Sequence, residues 1–413
     1  MMSTSSAGRS PSRFPSRVPL LAGAGIVAAT AVVVAAVHHA PSTDGSPIVP
    51  TGGWLNAYRA ALILGLALYA AAVMLLRRHT VALAAVLAIA AAVQLLPLAA
   101  PLLLSRDAYY YWSKGRVEAV HGADPFVTKP SAFPGDVAYP RVAQDWRDRP
   151  SYYGPTMAGV SDVHALLVGR SAHAAEYGYR LLAAASMLAI VGIVAALAPI
   201  PALGVALVGW NPLLALHFAG GGHNDALMMA LYLGALLLAA RSRPRLAGAL
   251  GVLAVASKWI LAVFFPLELL RRPRRFRVAP WLVAGALLCA ASFAAWGVGW
   301  LHSISALRSQ AEMVSSNSFA WWLSDHVGGG RFAWARGLRY AFAVVYAGLV
   351  LLGWRTGRVR IGLTAGLLVA ATPFLAPWYL VWPAALSAIE EDGAARLVVV
   401  ALTAWLLRDA VAF

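Results

Sequence analysis

VALAAVLAIAAAVQLLPLAAPLLLSRDAYYYWSKGRVEAVHGADPF, Val81 to Phe126, joins two kinds of chemistry in one stretch. From Val81 to Leu104 it is apolar, interrupted only by Gln94, Pro97 and Pro101, and long enough to cross a hydrocarbon layer of about 30 Å. From Ser105 onward it is polar and aromatic, and Asp107 opens that part as the start of a loop. A carboxylate at the rim of a membrane span, with tyrosines and basic groups behind it, reads as half of an active site built at a bilayer surface.

Composition extends that reading to the whole chain. Sixty per cent of the 413 residues are hydrophobic, 12% are charged and the mean hydropathy is +0.69. A soluble domain carries about 25% charged residues, so this is a polytopic helical membrane protein. The net charge of +16 does not signal nucleic acid, because the arginines stand in short runs between apolar segments, where they set topology. Arginine outnumbers lysine thirty to three, which makes Lys258 conspicuous. The only cysteine, Cys289, lies inside an apolar segment, cannot form an intrachain disulfide and reads as a small buried packing residue.

Residues 1–17 are polar, basic and serine-rich, the pattern of a disordered cytoplasmic tail. The apolar run from Val18 to Val37 is too long for a cleaved signal segment and reads as a retained span. Residues 18–104 form the N-terminal transmembrane helices, 105–178 an extracytoplasmic catalytic loop, and 179–413 a transmembrane core with an outer loop at 302–331. Arg9, Arg13 and Arg17 hold the N-terminus inside, Arg77 and Arg78 mark the next inner loop, and Asp107 is therefore outside. Later inner anchors are Arg241–Arg245, Arg271–Arg277 and Arg355–Arg360.

Two of those anchors flank one apolar stretch, Leu246 to Leu270. As a helical hairpin it keeps both runs inside, with arms of about 18 Å and Lys258 at the tip. As a single helix, its lysine snorkels or pairs within the bundle. Ser151 to Arg170, with Asp162 and His164, is too polar to span and reads as an amphipathic helix lying on the outer face. The fold class expected is all-α and polytopic, with about 13 transmembrane segments and outer-face juxtamembrane helices.

Two further stretches carry chemistry. In GGGHNDALM, Gly220 to Met228, three glycines allow close approach and a following helix N-terminus suits an anion. Asn224 or Asp225 could equally be only the cap of that helix. In PWYLVW, Pro377 to Trp382, the aromatics read either as an interfacial belt or as a surface for a sugar or an isoprenoid chain. His38 and His39 are adjacent in a loop and Asp145 and Asp148 lack a nucleotide-binding context, so neither a metal nor another cofactor is expected.

The order SRDAYYYWSKGRVEAVHGADPF, YYGPTM, Arg180, WNPLLALHFAGGGHNDALM, GVLAVASKWILAVFFPLELL and PWYLVW resembles the GT-C glycosyltransferases that use polyprenyl-phosphate sugars. It is most similar to actinobacterial polyprenol-phosphate-mannose-dependent α-mannosyltransferases, including the α-(1→6) enzymes of lipomannan assembly, over roughly Ser105 to Pro383. The resemblance implies an inverting transfer of mannose from a polyprenyl-phosphate donor to a hydroxyl of a lipid-linked glycan, at the outer face of the plasma membrane. It implies Asp107 as the general base. Lys258, Arg180, His223 and Asn224 would hold the donor phosphate. Tyr110, Tyr153, Asp225, Trp378 and Tyr379 would line the substrate, with Arg106, Lys114 and Arg116 as helpers. A transporter or flippase of a lipid-linked substrate is the alternative, since Asp225 and Lys258 could serve a pathway. It would be expected to show two related halves, and none is visible.

Overall fold

The computed structural model describes residues 14–40, 50–271 and 278–411, so the call on residues 1–13 and that on the Arg272–Arg277 part of the basic run lie outside the described residues. Each apolar run forms helix, and among the described residues the one exception to an all-α chain is a two-residue parallel bridge between Phe14–Pro15 and His79–Thr80. Five helices are long and apolar enough to cross a membrane: Val18–His38, Gly52–Leu76, Ala172–Leu197, Val278–Trp296 and Arg331–Thr356. A sixth candidate is a pair, Pro201–Gly209 and Pro212–Gly220, bent by 51°. The apolar helices Leu83–Ala99, Asp225–Ala240, Pro244–Ser257 and Ile361–Ala371 are shorter, so helix length supports five or six crossings and not the full count of about 13.

The bend at Asn211 is made by the side chain itself. Its Oδ1 accepts the Leu213 and Leu214 amides, as a helix cap does, and its Nδ2 donates to Thr403 on the Gly393–Val411 helix. Trp210 beside it is fully buried and donates its indole N–H to the Val86 carbonyl, while Gln94 donates to the Gly209 carbonyl. These bonds satisfy most polar atoms of an otherwise apolar bundle centre, Gln94 Oε1 being the exception among them.

The stretch around Lys258 turns back on itself. Helix Pro244–Ser257 stops at Lys258, whose backbone is extended, and the chain continues as a tight turn Trp259–Phe264 and a short helix Phe265–Arg271. Lys258 meets Asp225 at the first residue of the Asp225–Ala240 helix, and Glu268 meets Tyr232 two turns further along it. The segment after Lys258 therefore runs back beside that helix, toward the end where Arg271 approaches Glu390 (3.6 Å) and Arg360 pairs with Asp392 (2.7 Å). The molecule thus carries charge at two levels, one around Lys258 and one around Arg271 and Arg360.

Asp107 does not open a loop; it is the first residue of a helix, Asp107–Ala119. Its amide donates to Ser105 Oγ, and a carboxylate in the first turn suits the positive end of the helix dipole. The helix is buried all round from Asp107 to Val117, so no apolar stripe announces it. It packs on Pro155–Val168, where a Cβ on Gly115 would stand 1.9 Å from the Ser161 carbonyl oxygen; glycine is required for that approach. Pro155–Val168 leaves Val163, Leu166 and Leu167 exposed on its far side. Cys289, expected to be buried, is exposed: Val278–Trp296 touches the bundle through Pro280, Trp281 and Trp296, and presents most of its remaining surface outward.

Candidate active site

Five segments converge on Asp107. The Asp107–Ala119 helix brings Asp107 and Tyr111, one turn apart on the same face, and the Tyr111 hydroxyl donates to Asp107 Oδ2 at 3.4 Å. The turn before Asp225 brings His223, whose Nδ1 lies 3.5 Å from the same oxygen. Trp378, after Pro377, stacks on the His223 ring with centroids 3.6 Å apart. Tyr153, just ahead of the Pro155–Val168 helix, touches Tyr111 edge-on and donates to its hydroxyl at 3.5 Å. The break after Ser257 brings Lys258, 5.9 Å from the Tyr153 ring.

Beside this group stands a buried ion pair. Lys258 Nζ donates to both oxygens of Asp225, at 2.9 and 3.0 Å, and the Trp382 indole donates to Asp225 Oδ1 at 2.8 Å. The ammonium also lies over the Tyr379 ring, 4.3 Å from its centroid. Asp225 is fully buried and Lys258 nearly so, and a buried ion pair persists only where both charges are met in this way. The pair answers the open question about the helix start. Asp225 is not a cap but a partner of Lys258 and Trp382, and Asn224 makes no side-chain capping bond; its Oδ1 is buried without a hydrogen-bond partner among the described residues.

The phenols of Tyr111 and Tyr153 are held neutral. Burial raises both well above the ordinary tyrosine range, and the charges of Asp107 and Asp225 push the same way. Tyr111 thus stands under the influence of both carboxylates as a hydrogen-bond donor.

Arg180 stands apart from the Lys258 pair. Its guanidinium is buried and donates to the carbonyls of Ala219, Pro97, Leu98 and Ala100, at 2.7 to 3.1 Å. Three of those carbonyls close the C-terminal end of the Leu83–Ala99 helix, where backbone acceptors are left over and positive charge is favourable. A further tie is the Leu103 amide to the Gly220 carbonyl, 3.0 Å. Gly222, at φ +74°, turns the chain in the left-handed region, and a Cβ there would stand 3.2 Å from the Arg180 amide. Arg180 therefore fixes the distance between the Asp107 segment and the His223 turn.

Tyr110 stands at the back of the cluster, its ring 6.3 Å from Tyr111 and 6.5 Å from Tyr153, while its hydroxyl donates to the Pro150 carbonyl and its ring packs on Trp146. Lys114 donates to the Arg149 carbonyl, and burial lowers its pKa well below the ordinary value. Arg116 pairs with Asp136 at 2.8 Å; burial opposes ionisation of that carboxylate, but Arg116, the Ala138 amide and His121 bring it down to about 2. These two basic residues brace the 120–154 segment. The polar residues of the Pro155–Val168 helix are turned inward as well, for burial and the neighbouring Glu118 push the Asp162 carboxyl up to about 9.

Two neighbours of the centre are not singled out by the sequence, Tyr111 and His217, whose ring lies 5.6 Å from that of His223; Trp382 is read there only as an aromatic surface, and the structure adds its bond to Asp225. Tyr111 is four residues from Asp107 and Trp382 is four from Trp378, a spacing that a helical reading of either stretch would have placed on the same face.

Beyond these residues the surface is mostly apolar, with Arg339 and Thr372 in the wall of the first of three cavities and Ser315 and Asn317 in that of the third. A cavity of about 190 Å³ begins at Lys258, Tyr379 and Trp382 and is walled by Ile260, Phe342 and Phe374. Sharing Phe342 and Ala371 with it, a second cavity of about 320 Å³ continues between the Arg331–Thr356 and Ile361–Ala371 helices toward Trp322. A third, of about 190 Å³, lies on the other side of Trp378, against His217 and Leu104.

A helical chain with five apolar helices of membrane-crossing length thus brings two carboxylates, a buried lysine and an apolar groove together at one centre. Residues 21–271 match the family described as alpha-(1->6)-mannopyranosyltransferase, N-terminal domain, and the chain belongs to that family. It is similar to alpha-(1->6)-mannopyranosyltransferase A of Mycobacterium tuberculosis, 27% identical over 75% of this chain and 67% of that protein. With alpha-(1->6)-mannopyranosyltransferase A of Corynebacterium glutamicum it is 32% identical over 41% of this chain, and with a probable alpha-(1->6)-mannopyranosyltransferase of Mycolicibacterium smegmatis 35% identical over 33%. The matched part spans 34% of the corynebacterial protein and 25% of the M. smegmatis one. No solved structure matches the chain.

Proposed function

We propose that this chain transfers mannose from a polyprenyl-phosphate carrier to a hydroxyl of a cell-envelope glycan, with inversion, at the extracytoplasmic face of the plasma membrane. The observation that carries the reading is the placement of a buried lysine between a carboxylate cluster and the mouth of an apolar groove. Such a groove suits an isoprenoid chain, and the lysine at its end suits the phosphate that the chain bears. The names of the relatives supply the sugar and the linkage class.

In this reading Asp107 takes the proton of the acceptor hydroxyl. The acceptor oxygen forms a bond to the anomeric carbon as the bond from that carbon to the phosphate oxygen breaks, and the electron pair leaves with the polyprenyl phosphate. Lys258 meets the charge that grows on the leaving phosphate. Asp225 holds the lysine in place, and Tyr153, Trp378 and Tyr379 offer flat faces to the sugar. Asn224, with its free amide oxygen, is placed to accept from a sugar hydroxyl. The basic runs Arg241–Arg245 and Arg355–Arg360, at the opposite level to Asp107, support an outward-facing centre. The exposed Val163, Leu166 and Leu167 suit a helix resting on the outer leaflet.

Donor choice tests the proposal. Purified chain, given an α-(1→6)-mannan oligosaccharide as acceptor, should incorporate radiolabel from polyprenyl-phosphate mannose and none from nucleotide-linked mannose. Incorporation from the nucleotide sugar alone would overturn it.

A further inference from the structure

The His223 ring is fully buried, and neither of its nitrogens has a hydrogen-bond partner among the described residues; the nearest charged atom is Asp107 Oδ2, 3.5 Å from Nδ1. One face of the ring is covered by Trp378 at an interplanar angle of 14°, which holds the plane of the imidazole beside the carboxylate. Burying an imidazole with both nitrogens unused costs free energy, which a donated bond to Asp107 recovers. Tyr111 approaches the same oxygen from the helix side, which leaves Oδ1 as the oxygen free to take a proton.

We propose that His223 is the positioning residue of Asp107: its Nδ1–H, with the Tyr111 hydroxyl, holds Oδ2 and turns Oδ1 toward the acceptor hydroxyl. This rests on the functional reading above and assigns His223 to the base in place of the donor phosphate. The ionisable groups around His223 are few. Asp107 faces it from the Asp107–Ala119 helix and His217 from the preceding turn. Asp225, on the next helix, is engaged with Lys258, and Arg180, packed on Gly222, is turned to its four carbonyls.

His223→Phe keeps the stack on Trp378 and removes the donor. His223→Asn places an amide N–H near the position of Nδ1, whereas His223→Gln places it near Nε2. Mannose transfer from polyprenyl-phosphate mannose is measured for each against pH, with thermal unfolding in detergent as the folding control. In His223→Phe kcat should fall by about 10²-fold with donor KM little changed. The acid limb of its pH–rate profile should move up by about one pH unit, because a hydrogen bond that favours the charged carboxylate is lost. His223→Asn should retain more activity than His223→Gln and keep the limb where it is. An unmoved limb in His223→Phe, or His223→Gln outperforming His223→Asn if the phenylalanine variant does not fold, would overturn the inference while leaving the transfer reaction standing. A parent chain with no transfer from the lipid donor would remove the functional reading and this inference with it.

Discussion

Asp107→Asn should lower mannose transfer by about 10² to 10⁴ while the protein remains folded and still binds the lipid-linked donor. The substitution keeps the volume of the side chain and an oxygen for Tyr111 and His223 to donate to, but removes the basic oxygen that takes the proton. The loss should fall on kcat, since Asp107 acts on the acceptor hydroxyl as the bond to the anomeric carbon forms. Asp124 provides the comparison. Its Oδ1 accepts the Phe126 amide at 2.8 Å in the GADPF turn, far from any role in transfer, and Asp124→Asn should change the rate only slightly. Parental transfer by Asp107→Asn, with Asp225→Asn inactive and folded, would move the base to the other carboxylate.

Lys258→Met should have two effects, and the Asp225 contact separates them. Removing the ammonium leaves a fully buried carboxylate with the Trp382 indole alone, a change that costs about 3–5 kcal/mol of stability. It also removes the charge proposed to meet the donor phosphate. Lys258→Met combined with Asp225→Asn eliminates the unpaired charge and keeps an acceptor for Trp382, so thermal stability should return most of the way. Donor turnover should not return with it. Lys258→Arg should retain part of the activity. Turnover restored together with stability in the double variant would make Lys258 a structural residue only.

What could be read from the chain beforehand follows from the range of the interactions involved. Apolar runs are local, and each became helix; the break at Lys258 was legible because two basic runs bracket one apolar stretch. The Asp107–Ala119 helix was not legible, since residues buried on every side show no 3.6-residue stripe, and a loop reading gives no reason to single out Tyr111. Lys258 was conspicuous by composition, but its partner lies 33 residues away and only the packing of two helices brings them together. Arg180 shows the same limit: an arginine in an apolar segment suggests an anion, and its contacts to backbone carbonyls left open at a helix end, some 80 residues away, are visible only in the fold. Cys289 misled because, in a bilayer, an apolar position says nothing about whether it faces protein or lipid.

A single displacement at the anomeric carbon, with Asp107 as its base, is tested most directly by the configuration of the new glycosidic bond. Purified chain is given β-linked polyprenyl-phosphate mannose and a short mannan acceptor, and the anomeric carbon–hydrogen coupling of the newly added mannose is read by NMR. One displacement assisted by one base predicts an α-linked mannose and no covalent sugar on the protein. A β-linked product, or a mannosyl group trapped on Asp107 or Asp225, would contradict it.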